Sequence, residues 1–387
     1  MQLSSSWSAI AAGMLACLVG FGGAVPVVLA GAAAVGASEA QTASWISGLC
    51  LAIAVSTGWL SWRHKMPVVT AWSTPGAAVI AATSGIAMEA AVGAFVTVAV
   101  LIILTSLIEP LARLIGRLPV PIAAAMLAGV LFRFVADVAL AVPLSPLLVL
   151  TMVATFLVVR LHHPMAAILA ALAVGVGVTV LTGNAEWSRI AVTAPSLVLT
   201  APTFDVSVQL GLALPLFLVT MAAQNLPGLA VLRGHGYAPP VRPILAVTGA
   251  VSLLTAPFGA HTLNLAAISA AICTGPDCHP DPARRWIAGM SNAASYAVIA
   301  VLGGSVVALF AALPKALIAC VAGLALTGAF VSALSAALSE DRARFAAICA
   351  FATTASGLTL VGVGAPFWGL SVGLVVLMLD RYKSAVQ

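Results

Sequence analysis

The chain has 387 residues, of which 62% are hydrophobic and 7% charged, with a mean hydropathy of +1.15. Soluble domains carry about a quarter charged residues, so this composition excludes one and describes an all-α polytopic membrane protein. The net charge of +5 comes from Lys and Arg scattered singly or in pairs, which excludes a nucleic-acid footprint. The six cysteines lie mostly within apolar runs and suggest no disulfide framework.

A helix needs about 20 apolar residues to cross the hydrocarbon. By that ruler the spans fall near 7–33, 43–62, 88–112, 120–139, 144–161, 164–182, 207–232, 243–257, 285–312, 315–338, 343–362 and 365–381. The first apolar stretch has no basic region before it and is too long for a signal peptide, so it reads as the first span. Two further segments, 67–85 and 255–274, are apolar but interrupted by Pro, Gly and hydroxyl residues. Counted as half-helix crossings, they bring the total to about 14. Loops are short, and the longest polar stretches are 183–206 and 275–285, so no separate soluble domain is expected.

Lys and Arg placement sets the orientation. With a cytoplasmic N-terminus and both broken segments crossing, inner loops hold 13 of the 16 basic residues and outer loops only Arg189 and Lys315, with Arg133 inside a span. Dropping either crossing spoils that bias, so both termini are expected in the cytoplasm. Leu118-Pro119 with Ala128-Gly129 matches Leu313-Pro314 with Ala322-Gly323, and the broken segments repeat at a similar offset. Seven crossings per half is an odd number, which makes the halves a 7+7 inverted repeat with the two breaks meeting near the midplane.

Such breaks expose backbone groups that lipid cannot satisfy, so they survive only where protein or a watery cavity covers them. A half-helix starting there turns free N–H groups and a positive dipole end inward, which favours an anion. Ser73, Thr74 and Gly76 open the first half-helix, and Gly259, His261, Thr262 and Asn264 lie in the second break. The hydroxyls serve equally well as helix caps. Gln224-Asn225 places two costly amides in an apolar run, for a ligand or for interhelical hydrogen bonds. The matching stretch in the first half is Gly20–Pro26. Phe21, Trp72 and Phe258 lie near the breaks and could flank a flat ligand or simply pack.

Among ionisable residues, His261 is the proton-coupling candidate, because it lies inside a break and its ordinary pKa is near neutrality. Arg133 and Asp137, and likewise Glu109 and Arg113, are spaced to pair along one helix. Glu89 starts a span at the outer face, and His162-His163 reads as an interfacial anchor. Cys273, Cys278, His279, Asp277 and Asp281 lack the second ligand pair of a zinc site, so no metal is expected. There is no HExxH, Gly-x-Ser-x-Gly or Walker loop, which argues against an enzyme or an ATP-driven pump.

Three strings carry a resemblance over essentially the whole chain: Met66–Ala78, Phe258–Ala267, and Ile272–Asp277 with His279–Arg284. They resemble the benzoate:proton symporter (BenE) family. The resemblance implies import of benzoate or a related aromatic carboxylate with a proton across a bacterial inner membrane, without a cofactor. It also implies the fold shared with uracil permease, with core halves at 1–118 and 207–313, gate halves at 119–206 and 314–387, alternating access between them, and a homodimer through the gate. Gln224-Asn225 stands where the uracil permease group carries a Glu-His pair, a departure that removes the carboxylate and fits an anionic ligand. The competing readings are a symporter of another organic anion or a nucleobase on the same fold, and a passive anion channel.

Overall fold

The computed structural model describes residues 2–83, 85–108, 119–164, 166–184 and 197–386. The Glu109–Arg113 pairing and Arg189 lie outside them. The first half holds α1 (Gln2–Ala34), α2 (Glu39–His64), a short strand β1 (Thr70–Trp72), α3 (Thr74–Ala81), α4 (Met88–Leu107), α5 (Val120–Ala141), α6 (Pro146–His162) and α7 (Ala167–Leu181). The second half holds α8 (Val206–Gly234), α9 (Val241–Thr255), strand β2 (Leu263–Leu265), α10 (Ile268–Thr274), α11 (Trp286–Val301), α12 (Gly303–Ala311), α13 (Lys315–Ala337), α14 (Arg344–Ala355) and α15 (Ala365–Val386).

Among the described residues, seven helices are long and apolar enough to cross a membrane: α1, α2, α4, α5, α8, α9 with its 3₁₀ extension to Phe258, and α13. The helices α6, α7 and Ala365–Asp380 are apolar but shorter. The span expected at 285–312 is not straight: α11 and α12 meet at a 69° bend. The bend falls at Gly303, where a side chain would overlap the Ser47 hydroxyl and sit 3.1 Å from the Ala43 carbonyl oxygen, so glycine lets the chain turn against α2. The span expected at 343–362 stops at Ala355, and a loop with left-handed Gly357 and Gly362 follows.

Local chemistry sets the helix ends. Ser38 and Gln41 form a reciprocal capping box at the start of α2, and Lys65 ends that helix in a left-handed turn with its ammonium 3.9 Å from the Trp286 ring. Asp205 caps α8, and hydrogen bonds from the Ser207 hydroxyl and the Val208 and Ser207 amides hold its carboxyl below the usual range. Two π-turns, Gln209–Ala213 and Met221–Asn225, interrupt α8. Arg133 and Asp137 are both exposed on α5 and form no ion pair among the described residues; the guanidinium lies instead beside Gly357. Spacing alone did not decide that pair, because two solvated or headgroup-facing charges gain little by meeting.

The packing repeats between the halves. α2 lies along α11 and α9 along α4, while α5 packs on α13, α14 and α15. The core joins Trp45, Phe95, Ile46, Leu49 and Ile53 to Met126, Leu131 and Met152, all essentially fully buried. All six cysteines are free thiols.

Candidate functional site

The two broken segments meet directly. β1 and β2 pair antiparallel, with Thr70 opposite Leu265, Ala71 opposite Asn264 and Trp72 opposite Leu263. The ladder extends one pair each way: the Ser73 N–H donates to the Thr262 carbonyl at 3.0 Å and the Ala266 N–H to the Val69 carbonyl at 3.0 Å. α3 and α10 leave the ladder in opposite directions, so both helix starts face it.

A two-stranded ladder inside an apolar bundle has outward N–H groups that must be paired. Side chains of three surrounding helices do this for three of them. The Thr70 N–H donates to Thr57 Oγ1 (2.9 Å), Leu263 N–H to Ser252 Oγ (2.9 Å) and Leu265 N–H to Asn225 Oδ1 (2.9 Å). Thr70 Oγ1 also lies 2.6 Å from Ser56 Oγ, and Thr262 Oγ1 lies 3.2 Å from Thr220 Oγ1. Each such bond avoids the roughly 1–3 kcal/mol cost of a buried unpaired group.

The start of α3 is nearly sealed as well. Ser73 Oγ accepts the Gly76 N–H at 3.0 Å, the Ser73 carbonyl accepts Ala77 N–H at 2.7 Å, and Pro75 has no N–H. Of the N–H groups at this helix start, only that of half-buried Thr74 lacks a protein acceptor among the described residues.

His261 is fully buried and joins both breaks. The Trp45 indole N–H donates to its Nδ1 at 3.0 Å, and its Nε2 lies 3.2 Å from the Ser73 carbonyl oxygen. An indole nitrogen only donates, so Nδ1 must accept and Nε2 must carry the proton. Phe95 packs against both rings, with centroids 5.2 Å from Trp45 and 6.2 Å from His261. Gly259 supplies the left-handed turn (φ +91°) before this histidine, and a side chain there would press on Trp45 and Met88.

Asn264 is fully buried, and it is the ladder side chain whose two polar atoms, Nδ2 and Oδ1, are both buried and unpaired. Strand alternation puts it on the same face as Thr262.

Phe21, half-buried on α1, packs edge-on against Trp72 at 5.9 Å. Phe258 does not join them: it makes no ring contact among the described residues, its Cβ borders Gly48, and its carbonyl accepts the Ser44 hydroxyl at 2.9 Å. The adjacent amides also separate, since neighbouring helix positions point about 100° apart. Asn225 turns to the strand edge, and half-buried Gln224 has no hydrogen-bond partner among the described residues. Nothing in the sequence marks Trp45, Thr57, Thr220 or Ser252: each lies in an apolar span as an ordinary residue, and only the three-dimensional pairing gives it a role.

The loop after α10 is stapled by Arg285, which is 6% exposed. Its Nε donates to the His279 carbonyl and its Nη1 to the Thr274 carbonyl, both at 2.7 Å, while His279 Nδ1 accepts the Asp281 N–H at 2.9 Å. Burial pushes the Cys278 thiol in this loop up to about 11.

The benzoate membrane transport protein family matches the chain over residues 4–379. An inner membrane protein of Escherichia coli, YdcO, is 38% identical over 96% of this chain and 97% of its own length. The benzoate membrane transport protein of Acinetobacter baylyi is 37% identical over 97% of this chain and 96% of its own length. The fold resembles the transmembrane domain of the cyanobacterial bicarbonate transporter BicA, with a TM-score of 0.58 at 14% identity, covering 95% of this chain and 96% of that one. It also resembles SLC26A9, with a TM-score of 0.64 at 13% identity, covering 97% of this chain and 66% of that one.

Proposed function

The chain belongs to the benzoate membrane transport protein family, and from that premise we propose that it imports benzoate or a related aromatic carboxylate with a proton by alternating access. The observation that carries the site is Asn264: a sealed amide with no protein partner, at the crossing of two broken segments. Burying such a group is costly unless a ligand completes it. In this reading the carboxylate takes hydrogen bonds from the Asn264 amide and the Thr74 N–H, with Ser73, Gly76, Thr262 and Gln224 shaping the surroundings. Strand alternation puts Trp72 on the ladder face opposite Asn264, so in this reading the ring reaches Trp72 and Phe21 only past the strand end at Ser73.

His261 is the proposed coupling group. Protonation at Nδ1 would put an N–H against the Trp45 indole N–H, so the Trp45 contact has to open when the ring is charged. Proton uptake would thereby be tied to a rearrangement at the ladder.

The transport cycle proposed is motion of a core (1–118 and 207–313) against a gate (119–206 and 314–387), with 14 crossings in 7+7 inverted repeats, both termini in the cytoplasm and a gate-mediated homodimer. The swapped packing of α2 on α11 and α9 on α4 supports the repeat, and the shared fold with anion transporters supports the division.

The deciding experiment is uptake of labelled benzoate by vesicles reconstituted with the full chain. Accumulation driven by an inward proton gradient, competed by unlabelled aromatic acids and not by uracil, is expected. Flux insensitive to the gradient would identify a pore, and competition by uracil alone would identify a nucleobase carrier.

A further inference from the structure

The two breaks are closed almost everywhere. From Pro67 to Ile80 and from Gly259 to Ala266 every residue is buried except Ala71 and Thr74, which are half-buried. Ala71 stands directly across the ladder from Asn264. Opposed residues of an antiparallel pair point to the same face, with Cβ atoms about 4.5–5.5 Å apart. By alternation that face also carries Val69, Ser73, Thr262 and Ala266 of the extended ladder, and all four are buried. Ala71 is therefore the one residue of this face with exposed surface, and its methyl group borders the unpaired Asn264 amide on the open side.

Strands favour β-branched and aromatic side chains and disfavour alanine, so strand propensity does not explain a methyl group at this position. A small side chain here leaves the flank of the Asn264 amide unfilled. Thr74, the second half-buried residue, lies just beyond Ser73 and carries the N–H without a protein acceptor. The exposed surface of the breaks thus coincides with the two places where polar groups lack partners.

We propose that Ala71 determines substrate specificity: its methyl group borders the place taken by the carboxylate, and its size limits what an aromatic acid can carry next to that group. This rests on the aromatic-carboxylate reading and names a further residue of that same site. With the carboxylate on the Asn264 amide and the Thr74 N–H, a substituent ortho to it flanks the carboxylate and falls against residue 71. A para substituent lies at the far end of the ring and does not meet it. The acids admitted are those bare at the ortho positions, and glycine at residue 71 would extend the class to ortho-substituted ones.

The test is calorimetric titration of the purified full-length protein with benzoate, ortho-methylbenzoate and para-methylbenzoate, for wild type, Ala71→Gly and Ala71→Val. The quantity read is the ratio of the two methylbenzoate affinities within each protein, which removes any effect common to both ligands. One carbon more or less in a pocket changes binding about tenfold or more. Ala71→Gly is expected to shift the ratio about tenfold toward ortho-methylbenzoate. Ala71→Val is expected to shift it the other way and to weaken benzoate itself; where it binds too weakly to titrate, Ala71→Gly decides. A ratio within twofold of wild type in Ala71→Gly, or a shift in the same direction in both variants, overturns the proposal. Wild type that binds none of the three acids breaks the functional reading, and the proposal falls with it; wild type that binds them, with a ratio that Ala71→Gly does not move, removes Ala71 alone.

Discussion

The ladder's edges and the face that carries Asn264 have the same kind of surroundings and opposite chemistry. Along the edges, Thr70, Leu263 and Leu265 each give their N–H to a dedicated side chain of α2, α9 or α8. On the other side Asn264 holds a buried amide with nothing attached. The contrast separates two uses of polarity in an apolar bundle. Paired groups hold the break open as structure, and in the proposed reading the unpaired amide is held ready for the ligand.

The sharpest way to break that contrast is at Asn264. Replacement by Leu, which keeps the branching and number of side-chain heavy atoms and removes an uncompensated amide, is expected to cut benzoate uptake at least about a hundredfold while unfolding temperature holds or rises. Uptake near the wild-type rate would make Asn264 a mere packing residue. Next in size is His261→Ala, measured as accumulation against a gradient. Proton-driven accumulation is expected to disappear while exchange of labelled for unlabelled benzoate persists; unchanged pH dependence would remove His261 from the coupling.

At the edges the expectation reverses. Ser252→Ala leaves the Leu263 N–H without its acceptor and should lower stability by about 1–3 kcal/mol, with affinity changed less than threefold. A large loss of affinity at undiminished stability would show that the edge caps serve the ligand after all. Phe258→Leu should do least, under twofold in affinity, because the ring stands apart from Phe21 and Trp72.

The two breaks and their meeting were readable from the residues. Pro, Gly and hydroxyl residues in an otherwise apolar chain marked both breaks, and their matched positions in two halves implied that they meet. The particular pairings were not readable. Ser252 and Thr57 look like any helix hydroxyl, whose default partner is a carbonyl one turn back. Trp45 looks like any aromatic in a span until the fold brings it to His261. Gln224-Asn225 was visible as a costly pair, but the π-turn at Met221–Asn225 decides which amide faces the strand. The i,i+4 spacing of Arg133 and Asp137 predicted a pair that an exposed helix face does not hold together. The run Gly303-Gly304-Ser305 is a helix-breaking signal inside the straight span expected at 285–312, and it marks where the structure bends.

The ladder has a mechanical consequence. Backbone bonds join the two breaks to each other, and Thr57, Asn225, Ser252 and Trp45 fasten them to α2, α8 and α9. In the transport cycle proposed here, the displacement that opens the binding place to either side of the bilayer carries this stitched block as a solid piece, like a bolt sliding in its housing. A covalent staple between positions 69 and 266, neighbours across the ladder, should therefore leave turnover intact, whereas one joining α1 to α13 should stop it.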